Sequence, residues 1–95
     1  MFARYVRYSL RMGGRSTFET VAKEIEPLYR GLNGFHSLIV LMEGALSEYV
    51  ILSLWQTKED AEAAGSARPE SQQWLDRTLM GPPVVRIYEL YETRG

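Results

Sequence analysis

The chain has 95 residues, with 11 basic and 12 acidic side chains, one histidine and no cysteine. A net charge of -1, with the basic residues scattered along the chain, gives neither a basic stripe for nucleic acid nor a field for anionic lipid. Without cysteine there are no disulfides, thiolate chemistry or sulfur-built zinc sites, and a lone His36 excludes a two-histidine metal site within one chain. No run approaches the roughly 20 apolar residues of a membrane span. The N-terminus lacks the charged start and long apolar stretch of a signal peptide. A cytoplasmic protein of one domain, residues 1–95, is expected, with no membrane or nucleic-acid partner and no metal.

The first predicted strand is Phe2 to Leu10. Alternation puts Phe2, Arg4, Val6, Tyr8 and Leu10 on one face, with Ala3, Tyr5, Arg7 and Ser9 on the other. Met12-Gly13-Gly14-Arg15 reads as a loop. It lacks the spacing of a phosphate-binding loop.

A helix is predicted from Ser16, where Ser16 and Glu19 have capping-box spacing. Phe18, Val21, Ala22, Ile25, Leu28, Tyr29 and Leu32 follow at steps of three and four and form one apolar face. Pro27 lies on the opposite face, where it should kink the helix without moving the stripe. Gly31 and Gly34, with Asn33 between them, end the helix.

Two hydrophobic runs come next, Ser37 to Met42 and Tyr49 to Trp55, joined by the turn Glu43-Gly44-Ala45-Leu46-Ser47-Glu48. Neither run alternates cleanly, so each is expected to be covered on both faces. Thr57 caps a short alanine-rich helix with Asp60 in its first turn, and Gly65-Ser66 interrupts it. Pro69 opens a second helical piece from Glu70 to about Met80, with Trp74, Leu75, Thr78 and Leu79 on its inner face. Gly81-Pro82-Pro83 stops that piece, and Val84 to Glu92 reads as the last strand.

The order strand, helix, strand, strand, helix, strand is the split ferredoxin-like arrangement. It predicts an α+β fold: one four-stranded antiparallel sheet with its helices on one face. The other face would expose a contiguous apolar patch around Val50, Leu52 and Leu54, which monomers rarely tolerate. Burying five or six such side chains contributes on the order of 10 kcal/mol per subunit, partly offset by association entropy. A two-fold homodimer through the sheets is therefore expected. A helical or heterologous partner would supply the same cover.

Gly34-Phe35 before the second strand, the run Val50-Ile51-Leu52-Ser53-Leu54-Trp55, and the passage Gln56-Thr57-Lys58-Glu59-Asp60-Ala61 carry a resemblance. The chain resembles antibiotic biosynthesis monooxygenase domains of the dimeric α+β-barrel superfamily. The resemblance implies a pocket between sheet and helices, and activities that include cofactor-independent oxygenation of polycyclic aromatic or quinol substrates. It also covers haem-degrading relatives, which use an asparagine on the first strand, a tryptophan ending the third and a histidine on the second helical region. Trp55 matches the tryptophan, but Val6 stands at the asparagine position and Glu59 to Met80 holds no histidine. Haem degradation is therefore not expected, and no cofactor is implied.

Candidate catalytic residues are His36, as a base toward a substrate phenol, and Tyr8, as a hydrogen-bond donor. Arg4 shares the Val6 face and would hold an anionic or enolate oxygen. Trp55 and Trp74 would wall a pocket for a small aromatic ligand, and Arg77, three residues after Trp74, would guard its mouth. Each residue also has a purely structural reading. His36 would be a half-exposed histidine at a strand entrance, and the two tryptophans would be packing anchors. Arg4 would pair with Glu89 or Glu92 on the last strand. Two functions follow: a cofactor-independent monooxygenase acting on a quinol or polyphenol, or a non-catalytic dimeric module that binds a hydrophobic small molecule or serves assembly only.

Overall fold

A computed structural model describes residues 1–43, 45 and 47–91. Four strands, β1 (Phe2–Ser9), β2 (Phe35–Glu43), β3 (Glu48–Trp55) and β4 (Val84–Glu89), form an antiparallel sheet in the order β2-β3-β1-β4. Helix α1 (Arg15–Arg30) follows β1, and α2 (Lys58–Ala63), a 3-10 turn (Ala64–Ser66) and α3 (Gln72–Thr78) connect β3 to β4. This is the α+β, ferredoxin-like βαββαβ arrangement. The last strand ends at Glu89, short of the expected Glu92, since Leu90 and Tyr91 are no longer strand. Glu92 itself, and Gly44 and Leu46 of the expected turn, lie outside the described residues.

Register fixes the two faces. Val6 sits between Ile51 and Val85, and Arg4 between Ser53 and Ile87, so these residues share the helix-covered face. That face and the helices enclose one core of Val6, Tyr8, Leu10, Phe18, Val21, Ile25, Tyr29, Tyr49, Ile51, Trp55 and Leu75. The opposite face carries Ile39, Leu41, Val50, Leu52 and Leu54 on β2 and β3. On β1 and β4 it changes character to Tyr5, Arg7, Arg86 and Tyr88. Ile39 and Leu41 are 46% and 51% exposed, as an uncovered apolar patch requires.

Other local expectations also differ from the structure. The expected capping box is not formed: α1 starts at Arg15 behind Gly14, without a side-chain cap. Arg15 Nε takes Glu19 at 2.9 Å, one helical turn on, so Glu19 cannot reach back to Ser16. Leu28 falls on the flank of α1 and is exposed, because a seven-residue stripe drifts around the helix. The third helix is shorter than the expected Glu70–Met80, spanning Gln72–Thr78. The cap at Thr57 forms as expected, with its Oγ1 accepting from the Asp60 amide at 3.1 Å.

The α3 segment is tied at both ends. Ser71 Oγ donates to Glu24 of α1 at 2.8 Å. The Arg11 and Met80 amides donate to the Thr78 and Ser9 carbonyls at 2.8 and 2.9 Å. These bonds hold α3 over the β1 end of the sheet, beside α1. No helix among the described residues is long and apolar enough to cross a membrane.

Candidate functional site

A cleft of about 100 Å³ opens between the sheet and its covering helices. Its floor is Val6 and Tyr8 from β1, Ile25 and Tyr29 from α1, and Ala64, all nearly inaccessible to solvent. Its rim is Gly65, Arg68, Asp76, Pro83 and Val85. Arg4 reaches into it from β1. The alternation of β1 accounts for this placement: residues 4, 6 and 8 must share a face, and the helices cover that face.

Arg4 Nη1 donates to the Tyr29 hydroxyl at 3.1 Å. The guanidinium makes no ion pair among the described residues. The expected partner Glu89 lies opposite Phe2, diagonal to Arg4, and makes no ion pair with it, and Glu92 is outside the described residues. The guanidinium also lies against Gly65, where a Cβ would come within 3.3 Å of Nη2. The absence of a side chain there leaves the space that Arg4 occupies.

The other charges at the cleft neutralise one another. Arg68 Nη2 donates to Asp76 Oδ2 at 2.6 Å, and Gln72 Nε2 to Asp76 Oδ1 at 3.2 Å. The cleft therefore keeps one uncompensated positive charge, that of Arg4. Burial pushes the Tyr8 phenol up to about 12, with Tyr29 and Asp76 adding to the rise and Arg4 and Arg68 opposing it. Burial also raises Tyr29, against the pull of Arg4. Both phenols stay protonated at neutral pH and can donate hydrogen bonds.

The remaining candidates lie elsewhere. His36 is not brought to Arg4 and Tyr8. It is on the edge strand β2, two strands from β1, at a register shift between Phe35 and Ser37 that leaves it unpaired with β3. Its ring is exposed, with Nδ1 3.4 Å from Ser37 Oγ, in an open groove with Glu26 and Arg30. Trp74 is 53% exposed and does not line the cleft. Helix α3 turns Gln72 and Leu75 inward and sets Asp76 at the cleft rim, which leaves Trp74 about 100° away from Leu75. Arg77 lies over its ring, with Cζ 4.8 Å from the centroid, on the outer surface.

Trp55 is fully buried behind the cleft wall rather than in it. Its Nε1 donates to Ser53 Oγ at 2.8 Å, and its ring meets Tyr29 edge-on at 5.4 Å. Trp55 thus fixes the tyrosine that receives Arg4. Sequence reasoning missed Tyr29, Arg68, Gln72 and Asp76 as cleft residues. The Gln72 to Asp76 spacing of four was a readable signal, whereas Tyr29 was hidden in an apolar stripe.

The described residues contain no group of three or more His, Cys, Asp or Glu side chains that could hold a metal ion. What the cleft can do is bind an oxyanion at Arg4, beside two phenols that can donate hydrogen bonds.

No protein-family model matches the chain, and no curated protein matches it. Solved structures do match over nearly the whole length. A proposed antibiotic biosynthesis monooxygenase from Nitrosomonas europaea is similar at a TM-score of 0.77 and 16% identity, covering 96% of this chain and 100% of its own. SnoaB, a cofactor-independent oxygenase from Streptomyces nogalater, is similar at a TM-score of 0.76 and 18% identity, covering 97% and 94%. The monooxygenase from the gene ActVA-Orf6 of Streptomyces coelicolor, in complex with nanaomycin D, is similar at a TM-score of 0.74 and 18% identity, covering 98% and 89%. These likenesses establish a shared fold.

Proposed function

We propose that the chain is a cofactor-independent monooxygenase of a small aromatic quinol or polyphenol, working in the cleft around Arg4. The observation that carries this reading is the Arg4 guanidinium, unpaired by any described carboxylate and flanked by the Tyr8 and Tyr29 phenols. Such a group lowers the cost of ionising a bound phenol. An electron-rich phenolate can reduce dioxygen itself. In the net reaction a quinol and dioxygen give a hydroxyquinone and water. One oxygen atom enters the ring, the other leaves as water, and the substrate supplies all the electrons. Arg4 would hold the substrate's anionic oxygen, Tyr8 would donate to a second substrate oxygen, and the buried floor would keep water from the reacting carbon. The shared fold with SnoaB and the ActVA-Orf6 protein supports the reading by analogy.

The reading includes a homodimer through the sheet face that bears Ile39, Leu41, Val50, Leu52 and Leu54. A second copy related by a two-fold axis would cover the patch with its own equivalent.

A second reading, a binding module without turnover, is favoured by one observation. His36 lies outside the cleft, so no side chain that ordinarily titrates near neutrality faces a ligand there. Oxygen uptake with a panel of quinols and polyphenols separates the two. Uptake above the protein-free rate supports the monooxygenase. Saturable binding without uptake supports the module.

A further inference from the structure

We infer that the cleft selects a single-ring aromatic acid, a ligand whose one ring carries a carboxylate or equivalent anionic oxygen that Arg4 receives. The inference rests on the cleft around Arg4 being the substrate site, as proposed above, and narrows what enters it.

Size comes first. A cavity of roughly 150 Å³ suffices for benzene. The cleft, at about 100 Å³, is smaller than this and open at its rim, so it takes in at most part of one ring and has no enclosed space for fused rings. Its closed end is built by rigid elements. Val6 lies in the middle of a central strand paired on both sides, and Ile25 lies within α1. The ends of α3 are bonded to α1 and β1, so the roof is fixed as well.

Charge comes second. Of the three charged groups at the cleft, Arg68 and Asp76 satisfy each other, and only Arg4 lacks a counter-ion among the described residues. Nη1 is engaged with the Tyr29 oxygen, which leaves Nη2 and the Tyr29 hydroxyl proton to meet an anionic oxygen. Beside Arg4, Gly65 leaves the guanidinium open, since any Cβ there would press on Nη2. A neutral ligand of the same shape would leave this charge unanswered in a half-buried site.

The test compares isosteres on the wild-type chain, so it does not depend on a variant folding. Benzoate and benzamide differ in charge and barely in shape. Binding is followed by titration calorimetry and by amide shifts of Gly65 and Ala67 in 1H–15N spectra. Benzoate is expected to bind about tenfold or more tighter than benzamide, and tighter than 2-anthracenecarboxylate. Arg4→Met should erase the preference for benzoate, and Arg4→Lys should keep part of it. Equal binding of benzoate and benzamide overturns the inference, as does tighter binding of the fused-ring acid, or shifts confined to residues away from the cleft. Failure of the monooxygenase reading is distinguishable. Benzoate selectivity without oxygen uptake supports the inference and removes the reaction, whereas oxygen uptake driven by neutral fused-ring quinols overturns the inference and leaves the reaction standing.

Discussion

Arg4 and Tyr29, 25 residues apart in sequence, meet through a 3.1 Å hydrogen bond in which the guanidinium donates to a buried phenol oxygen. A charged donor satisfied by a neutral acceptor remains a charge, so the bond positions Arg4 without neutralising it. Replacing Tyr29 with Phe removes the acceptor and frees the guanidinium to move. The variant should lose about 1–2 kcal/mol of stability in urea unfolding and bind benzoate more weakly than the wild type. Unchanged affinity would mean that Tyr29 does not set the position of Arg4.

The Tyr8 phenol gives the fold an alkaline limit. Its folded value is raised from 10.0 to about 12, so between these values the folded chain keeps a proton that the unfolded chain has lost. Stability must then fall with rising pH in that window. The contribution is fully present below about pH 10 and is lost as pH climbs toward 12, a change of roughly 2–3 kcal/mol. Tyr8→Phe has no such proton to lose. Urea unfolding from pH 8 to pH 11.5 should therefore show a flatter alkaline decline for the variant, in the range set by that linkage.

Ser53 is almost fully buried and accepts from Trp55 Nε1 at 2.8 Å. Ser53→Ala orphans the indole N–H in the core. The expected cost is about 1–3 kcal/mol, read as a shift in denaturation midpoint with little change in slope. A neutral effect would mean that the indole finds another acceptor.

Leu52 lies on the sheet face away from the helices, directly across from Ile39 on β2 and Tyr5 on β1. Leu52→Asp places a charge in the middle of the proposed dimer face. The wild type should sediment as a dimer at micromolar concentration and the variant as a monomer. A monomeric wild type would remove the dimer from the account.

Strand β1 and helix α1 were legible because their signals are periodic, whereas β2 and β3 were legible as continuous apolar runs on either side of a polar turn. The 3.6-residue stripe of Phe18, Val21, Ile25 and Tyr29 matches the buried residues of α1. The alternation of β1 likewise put Arg4, Val6 and Tyr8 on one face. The cleft itself was less legible, because it forms where distant segments converge. Arg68 and Asp76 become partners only when the turn before α3 folds back on the helix, and spacing alone does not encode that. Trp74 was read inward with Leu75, yet adjacent helical residues point about 100° apart and only one of the two could face the core. His36 was singled out for its chemistry, but chemistry carries no information on position, and an edge-strand irregularity leaves it outside.

The most direct test follows 2,5-dihydroxybenzoate, a one-ring quinol that carries a carboxylate, in an oxygen electrode with mass analysis of the product. The account predicts dioxygen consumption above the protein-free rate and a product that has gained one oxygen and lost two hydrogens, with Arg4→Met slower by about tenfold or more. Oxygen consumption no faster than in buffer, or an Arg4→Met variant as fast as the wild type, would contradict it.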